Sequence, residues 1–131
     1  MSEPGIDILR RILATRGGFG HREHLELAWN CLDRYGLEAA HEAVSTAVHH
    51  VASLHGMPDR DHETITRSWV HVVALHRALD PADSFEAFIA AHPALLTKDL
   101  LSRHYSAPLL HSGTARTTWA EPDLRAFPAL A

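Results

Sequence analysis

The chain has 131 residues, 46% of them hydrophobic and 21% charged, which predicts one soluble globular domain with a single core. The net charge of −4 and the lack of a lysine and arginine cluster argue against nucleic-acid binding. No stretch is apolar enough for a signal peptide or a membrane span, so we expect a cytoplasmic protein without membrane contact. The single cysteine, Cys31, excludes an internal disulfide and a cysteine-based zinc module.

Apolar residues recur with the period of an α-helix, and glycine and proline residues divide the chain into six predicted helices. The first helix covers residues 6–13 and is followed by Gly17 and Gly18. The second covers residues 21–32 and the third residues 37–55. Gly36 and Gly56 end these two helices, because glycine readily adopts the left-handed conformation that follows a helix.

The second half of the chain contains three further predicted helices. The fourth carries its apolar stripe over residues 62–79, and Asp59 or Asp61 is its predicted N-cap. Asp80 and Pro81 begin a short fifth helix that continues to residue 89. Residues 95–105 supply the sixth helix.

The helical period is lost after Tyr105, and residues 106–131 are predicted to form an irregular tail that packs on the helices. Residues 1–18 are predicted to form an N-terminal helix and linker. No strand pattern is convincing. The sequence therefore predicts a single helical domain over residues 1–131, with an all-α fold. It would be a compact bundle of five to six helices, three of them main, with an extended C-terminal strap.

Three of the 12 histidines stand at the first turns of predicted helices. His21 and His24 share one face of the second helix, because residues three apart are neighbours on a helix surface. His62 begins the fourth helix in the same way. Three nitrogen ligands with an open fourth position are typical of catalytic metal sites. The sequence predicts a mononuclear three-histidine site for a divalent transition metal, namely zinc, copper, iron or nickel.

Two other interpretations of these histidines stay open. The spacing H-x-x-H is a weak motif by itself, and the three imidazoles can equally be polar groups of a cleft without a metal. Glu38 and His41 have the spacing used in di-iron bundles, but no second pair of this kind follows on the fourth helix. His41 is therefore better explained as a core histidine.

Six further residues are candidates for chemistry around the site. The predicted proton-transfer groups are Glu23, Glu63 and Tyr105. The predicted substrate contacts are Thr66, Arg116 and Trp119. Each has a structural alternative: Thr66 can bond back to its own helix, and Tyr105 can pack in the core with a hydrated hydroxyl. Arg116 can pair with a carboxylate of the helical body.

Four motifs, "FGHREHLELAW", "HETITRSWV", "HYSAPLL" and "ARTTWAEPDL", follow one another between residues 19 and 127. In this order and spacing the chain resembles a family of small, uncharacterised, all-helical bacterial proteins. The resemblance singles out His21, His24 and His62 from the 12 histidines. It implies no substrate or reaction, and it does not extend to His104. The same resemblance also singles out Phe19, Leu25, Trp29, Thr64, Thr66, Tyr105, Ser106, Arg116, Trp119, Pro122 and Asp123.

The first functional hypothesis is a small metal-dependent enzyme that acts on a small molecule. Hydrolytic, lyase-type and oxygen-using reactions all fit a metal with an open position. The second hypothesis is a non-enzymatic module that binds a small ligand or a metal. The third is a homodimeric accessory protein in which the histidines are incidental.

Overall fold

A computed structural model describes residues 5–54, 56 and 62–129 and confirms the predicted all-α fold. The described part forms no strand, and none of its helices is long and apolar enough to cross a membrane. Two segments, Pro93–Leu96 and Lys98–Arg103, are 3-10 helices. The α-helices are α1 (Ile6–Arg16), α2 (His21–Tyr35), α3 (Leu37–Leu54), α4 (Glu63–Leu79), α5 (Phe85–Ala91), α6 (Ala107–Leu110) and α7 (Gly113–Thr117).

The three long helices α2, α3 and α4 pack against one another, and α1 covers α2 and α3. Gly17 and Gly36 have positive φ angles of 76° and 83° and end α1 and α2. Their N–H groups bond to the carbonyls of Leu13 and Leu32, which confirms the predicted glycine stops. Sharp stops allow neighbouring helices to reverse direction, so that their apolar faces meet in one core.

The core is built from the apolar stripes that the sequence pattern predicted. Leu25 and Ala28 of α2, Val44 of α3, and Val70 and Val73 of α4 are fully buried. Complete burial of a leucine or valine side chain stabilises the fold by about 1.5–3 kcal/mol. The same stripes fix the rotation of α2 and α4, and they thereby decide which side their first turns face.

The predicted sixth helix is wrong, because the two 3-10 helices occupy most of that segment. Thr97 separates them with an extended backbone, φ −91° and ψ 116°. Leu95 and Leu101 are both buried. On a continuous α-helix, residues six apart would point about 120° away from each other. The break at Thr97 resolves this conflict and brings both leucines to the core.

Residues 106–129, predicted to be irregular, contain the two short helices α6 and α7. Ser106 and Ser112 cap them, since their hydroxyls accept the N–H groups of Leu109 and Ala115. The remaining residues of this segment have no regular secondary structure. The N-cap of α4 is His62, whereas the predicted caps Asp59 and Asp61 lie outside the described residues, as does His55 at the predicted end of α3.

The C-terminal segment is attached to the bundle by hydrogen bonds of the buried side chains Thr64 and Tyr105 and of the exposed Asp123. The hydroxyl of Thr64 donates to the Thr118 carbonyl at 2.9 Å and accepts the N–H of Ala120 at 3.0 Å. Tyr105 donates to the Ala120 carbonyl at 2.7 Å. Asp123 accepts both the N–H and the hydroxyl of Ser106. This segment is therefore docked onto α4 and belongs to the folded unit.

Candidate functional site

A cavity of about 510 Å³ lies where α2 and α4 begin and α3 ends. The 3-10 helix Lys98–Arg103 and Leu110 of α6 close its remaining sides. Much of the wall is apolar. The apolar lining includes Phe19, Val51, Ala52, Trp69, Leu101 and Leu110.

All three predicted histidines line this one cavity. His21 is the first residue of α2 and follows its N-cap, Gly20, while His24 lies one helical turn further on. His62 is the N-cap of α4. The buried stripes of the two helices orient these first turns toward each other. The structure thus brings the three predicted histidines to the wall of one cavity, but in the described part of the chain their rings do not surround a common point that could hold a metal ion.

His62 uses both ring nitrogens within the fold. Its Nδ1 accepts the N–H of Ile65 at 3.2 Å, which caps α4. Its Nε2–H donates to the carbonyl of Leu110 at 2.7 Å. A neutral imidazole has one donor and one acceptor, so both are committed. His62 therefore joins the start of α4 to α6 and keeps no free lone pair for a ligand.

His21 uses only one ring nitrogen in a bond to the backbone. Its Nε2–H donates to the Leu95 carbonyl at 2.8 Å, which leaves the lone pair on Nδ1 when the ring is neutral. The ring packs edge-on against Trp69 with 4.5 Å between centroids. Burial lowers the pKa of His21, the bond to Leu95 opposes this, and the nearby Lys98 adds to the lowering. The neutral form is thus favoured near pH 7.

His24 is the most perturbed of the three. Burial, with a smaller effect of His21, lowers the pKa of His24 to about 4. Its Nε2 is hidden from solvent and has no hydrogen-bond partner in the described part of the chain. The ring lies 6.3 Å from that of Phe19. An unpartnered buried nitrogen costs about 1–3 kcal/mol.

These rings do not, as placed, form the predicted three-nitrogen metal centre. Within residues 5–54, 56 and 62–129, no group of three or more histidine, cysteine, aspartate or glutamate side chains could hold a metal ion. At this cavity both ring nitrogens of His62 are occupied, and Nε2 of His21 is bonded to the Leu95 carbonyl. The metal centre stays a prediction, and it would require His62 to give up one of its bonds.

The predicted proton-transfer groups lie outside the lining of the cavity. The Glu23 carboxylate accepts the Gly20 N–H at 2.8 Å and so completes the cap of α2. The Glu63 carboxylate accepts the Ser45 hydroxyl at 2.8 Å and pairs with Arg67 at 3.6 Å. Tyr105, 1% exposed, docks the C-terminal segment, and burial is the main reason that its pKa is raised.

Of the predicted substrate contacts, only Thr66 lines the cavity, where it is 2% exposed. Arg116 is exposed on α7. The indole N–H of Trp119 bonds to the carboxylate of Glu121 at 3.0 Å, and its ring meets Tyr105 edge-on. Trp119 therefore packs the C-terminal segment against Tyr105.

The sequence interpretation missed the rim of the cavity. Lys98, Asp99 and Ser102 line it from one 3-10 helix, and all three residues are exposed. Nothing in the local sequence marks them, because charged and hydroxyl residues on a solvent-facing turn are common. Trp69 carried a signal, since it stands on the inward stripe of α4 four residues after Ile65.

The chain matches no protein-family model, no curated protein and no solved structure. The resemblance inferred from the four motifs therefore remains a prediction.

Proposed function

We propose that the protein binds a small, mostly apolar molecule in the cavity between α2, α3 and α4. The observation that carries this proposal is the pairing of a largely apolar wall with two neutral imidazoles, His21 and His24, in one cavity of about 510 Å³. Small-molecule sites generally have volumes of about 300–1,000 Å³, with apolar walls and a few polar groups that orient the ligand. This cavity has both properties.

Fluorescence of N-phenylnaphthylamine, a neutral apolar probe, tests this proposal. We expect saturable binding to the wild-type protein, since the probe brightens when it leaves water for an apolar site. The substitution Ala52→Trp fills the cavity from α3 and should weaken binding at least about tenfold, which corresponds to 1.4 kcal/mol. Circular dichroism verifies that the variant is folded, and Ala52→Leu replaces it if it is not.

The matched control is Ala39→Trp, which adds the same side chain to an exposed position of α3. Because Ala39 is not part of the cavity lining, this variant should bind the probe like the wild-type protein. A wild-type protein without saturable binding, or equal loss in both variants, contradicts the proposal.

A metal-binding function is the second candidate, favoured by one observation. His21 and His24 lie one helical turn apart in the same cavity, and both are neutral imidazoles. Two protein nitrogens could bind an ion whose other ligands come from water or substrate.

Elemental analysis of protein purified without a histidine tag tests the metal candidate. If the candidate is right, we expect about one metal ion per chain in the wild-type protein and none in the His21→Ala, His24→Ala double variant. His49→Ala, a substitution on α3, serves as control. Wild-type protein that lacks metal and takes up no zinc, copper, nickel or iron at micromolar concentration removes this candidate.

A further inference from the structure

We infer that the cavity selects neutral ligands that carry a hydroxyl group on an apolar body, with that hydroxyl donating to Nδ1 of His21. The inference rests on the proposed function and narrows it to one chemical class. Phenols and aliphatic alcohols belong to this class. Simple hydrocarbons, ethers and carboxylates do not.

The first step of the inference is the fixed tautomer of His21. A carbonyl oxygen can only accept a hydrogen bond, so the 2.8 Å contact with Leu95 places the proton on Nε2. The other nitrogen then presents a lone pair. Packing against Trp69 at 4.5 Å further restrains the ring and keeps this polarity. A partner of Nδ1 must therefore bring its own proton.

The second step concerns the other polar groups of the wall. His62 cannot offer a lone pair or a proton, because Ile65 and Leu110 already use them. His24 carries no charge near pH 7, since burial lowers its pKa to about 4. Its Nε2 is hidden from solvent, so a hydroxyl in the cavity does not reach that nitrogen. The lone pair on Nδ1 of His21 is therefore the acceptor that a ligand hydroxyl would use.

The third step excludes a buried anion. The charges in the lining, Lys98 and Asp99, are adjacent, opposite in sign and exposed at the rim. A carboxylate deep inside the cavity would lose water, and Lys98, although near enough to act on His21, stays exposed at the rim. The lone pair of a neutral His21 offers such an anion no hydrogen bond. An ether would leave that lone pair without a donor in a mostly apolar space. A neutral hydroxyl group avoids both costs.

Three compounds of one shape test this inference at pH 7.5 on the wild-type protein. They are p-cresol, p-methylanisole and p-toluate, and each competes with bound N-phenylnaphthylamine. We expect p-cresol to displace the probe at a concentration at least about tenfold below that of the other two. The ether keeps the oxygen and lacks only the donated proton, so it is the matched control for the hydrogen bond.

Substitutions test whether His21 is responsible for the preference for p-cresol. His21→Phe should reduce the preference for p-cresol over p-methylanisole to less than about twofold, because the lone pair is gone. His104→Phe is the control, since His104 also bonds to a backbone carbonyl but does not line the cavity. If His21→Phe does not fold, the ¹⁵N chemical shift of Nδ1 of His21 is measured in the wild-type protein instead. It should move with p-cresol and stay unchanged with p-methylanisole.

Each result has a distinct meaning. If p-methylanisole competes as well as p-cresol, the cavity is confirmed as a binding site and the inference is overturned. If p-toluate competes best, the site prefers anions and the inference is overturned. Failure of all three compounds while the probe stays bound overturns it as well. Failure of the probe itself to bind is the separate result that removes the proposed function.

Discussion

Acidification from pH 7 to pH 5 should destabilise the protein by about 2 kcal/mol through His24 alone. The folded protein keeps His24 neutral down to a pH near its lowered pKa of about 4. In the unfolded chain the same imidazole binds a proton below about pH 6.5. Between these values the unfolded state holds more protons. The stabilisation is therefore complete above pH 6.5 and is lost as the pH falls toward 4.

Other histidines strengthen this trend. Burial, together with Arg67 and His71, lowers the pKa of His41 to about 4, and the pKa of His21 is also lowered. Both favour the neutral form in the folded state, so they act with the same sign as His24. His41 is half-buried rather than fully in the core, and its Nδ1 has no hydrogen-bond partner in the described part of the chain. It contributes to acid sensitivity.

Urea unfolding at several pH values measures the effect. The His24→Phe variant should lose up to about one proton from the slope of unfolding free energy against pH, or 1.4 kcal/mol per unit. His111→Phe, a substitution at an exposed position, is the control. If the slope falls equally in both variants, or in neither, the assignment of this pH dependence to His24 is wrong.

The substitution His62→Ala should reduce the free energy of unfolding by about 2–3 kcal/mol. It removes the cap of α4, which contributes about 1 kcal/mol in typical cases. It also removes the donor to the Leu110 carbonyl, and an unpaired polar group in a partly buried position costs about 1–3 kcal/mol. The two effects overlap, because both depend on how α6 meets the start of α4.

His62→Asn separates the two roles of the side chain. Asparagine is a favourable N-cap, but it is too short to reach the Leu110 carbonyl. We expect it to recover about 1 kcal/mol of the stability that His62→Ala loses. Chemical unfolding in the presence of a chelator provides the measurement. Wild-type stability in both variants, or a loss that the chelator reproduces in the wild-type protein, would contradict the structural role of His62.

The periodicity of apolar residues was sufficient to predict the presence of α1 to α5, and the glycine stops of α1 and α2 were also predicted. The predicted start of α5 at Asp80 and Pro81 is wrong, because Ser84 caps this helix and it begins at Phe85.

The periodicity also set the rotation of α2 and α4, and the structure places His21, His24 and His62 in the lining of one cavity. Whether their rings meet at one point could not be predicted from the sequence. The hydrogen-bond partners of these three rings could not be predicted either. Leu95 and Leu110 contribute backbone carbonyls, and every residue has one, so no sequence signal marks the carbonyl that a distant imidazole will find.

In the second half of the chain, the prediction of a sixth helix was wrong and the helices α6 and α7 were missed. The leucine spacing between residues 95 and 105 is compatible with an α-helix, and only the requirement to bury both Leu95 and Leu101 forces the break at Thr97. Ser106 and Ser112 did carry a cap signal, and α6 and α7 could have been predicted from it. The role of His62 as the N-cap of α4 could not have been predicted, since imidazole is not among the usual N-cap side chains.

The position of Leu110 has a consequence for the order of events during synthesis. The helices α2, α3 and α4 all emerge from the ribosome before residue 80, and they can pack as soon as they are available. The cavity is complete only when Leu95, Leu101 and Leu110 have followed, because these residues fix His21, close the wall and fix His62. The cavity is thus closed only after residue 110 has followed the three long helices.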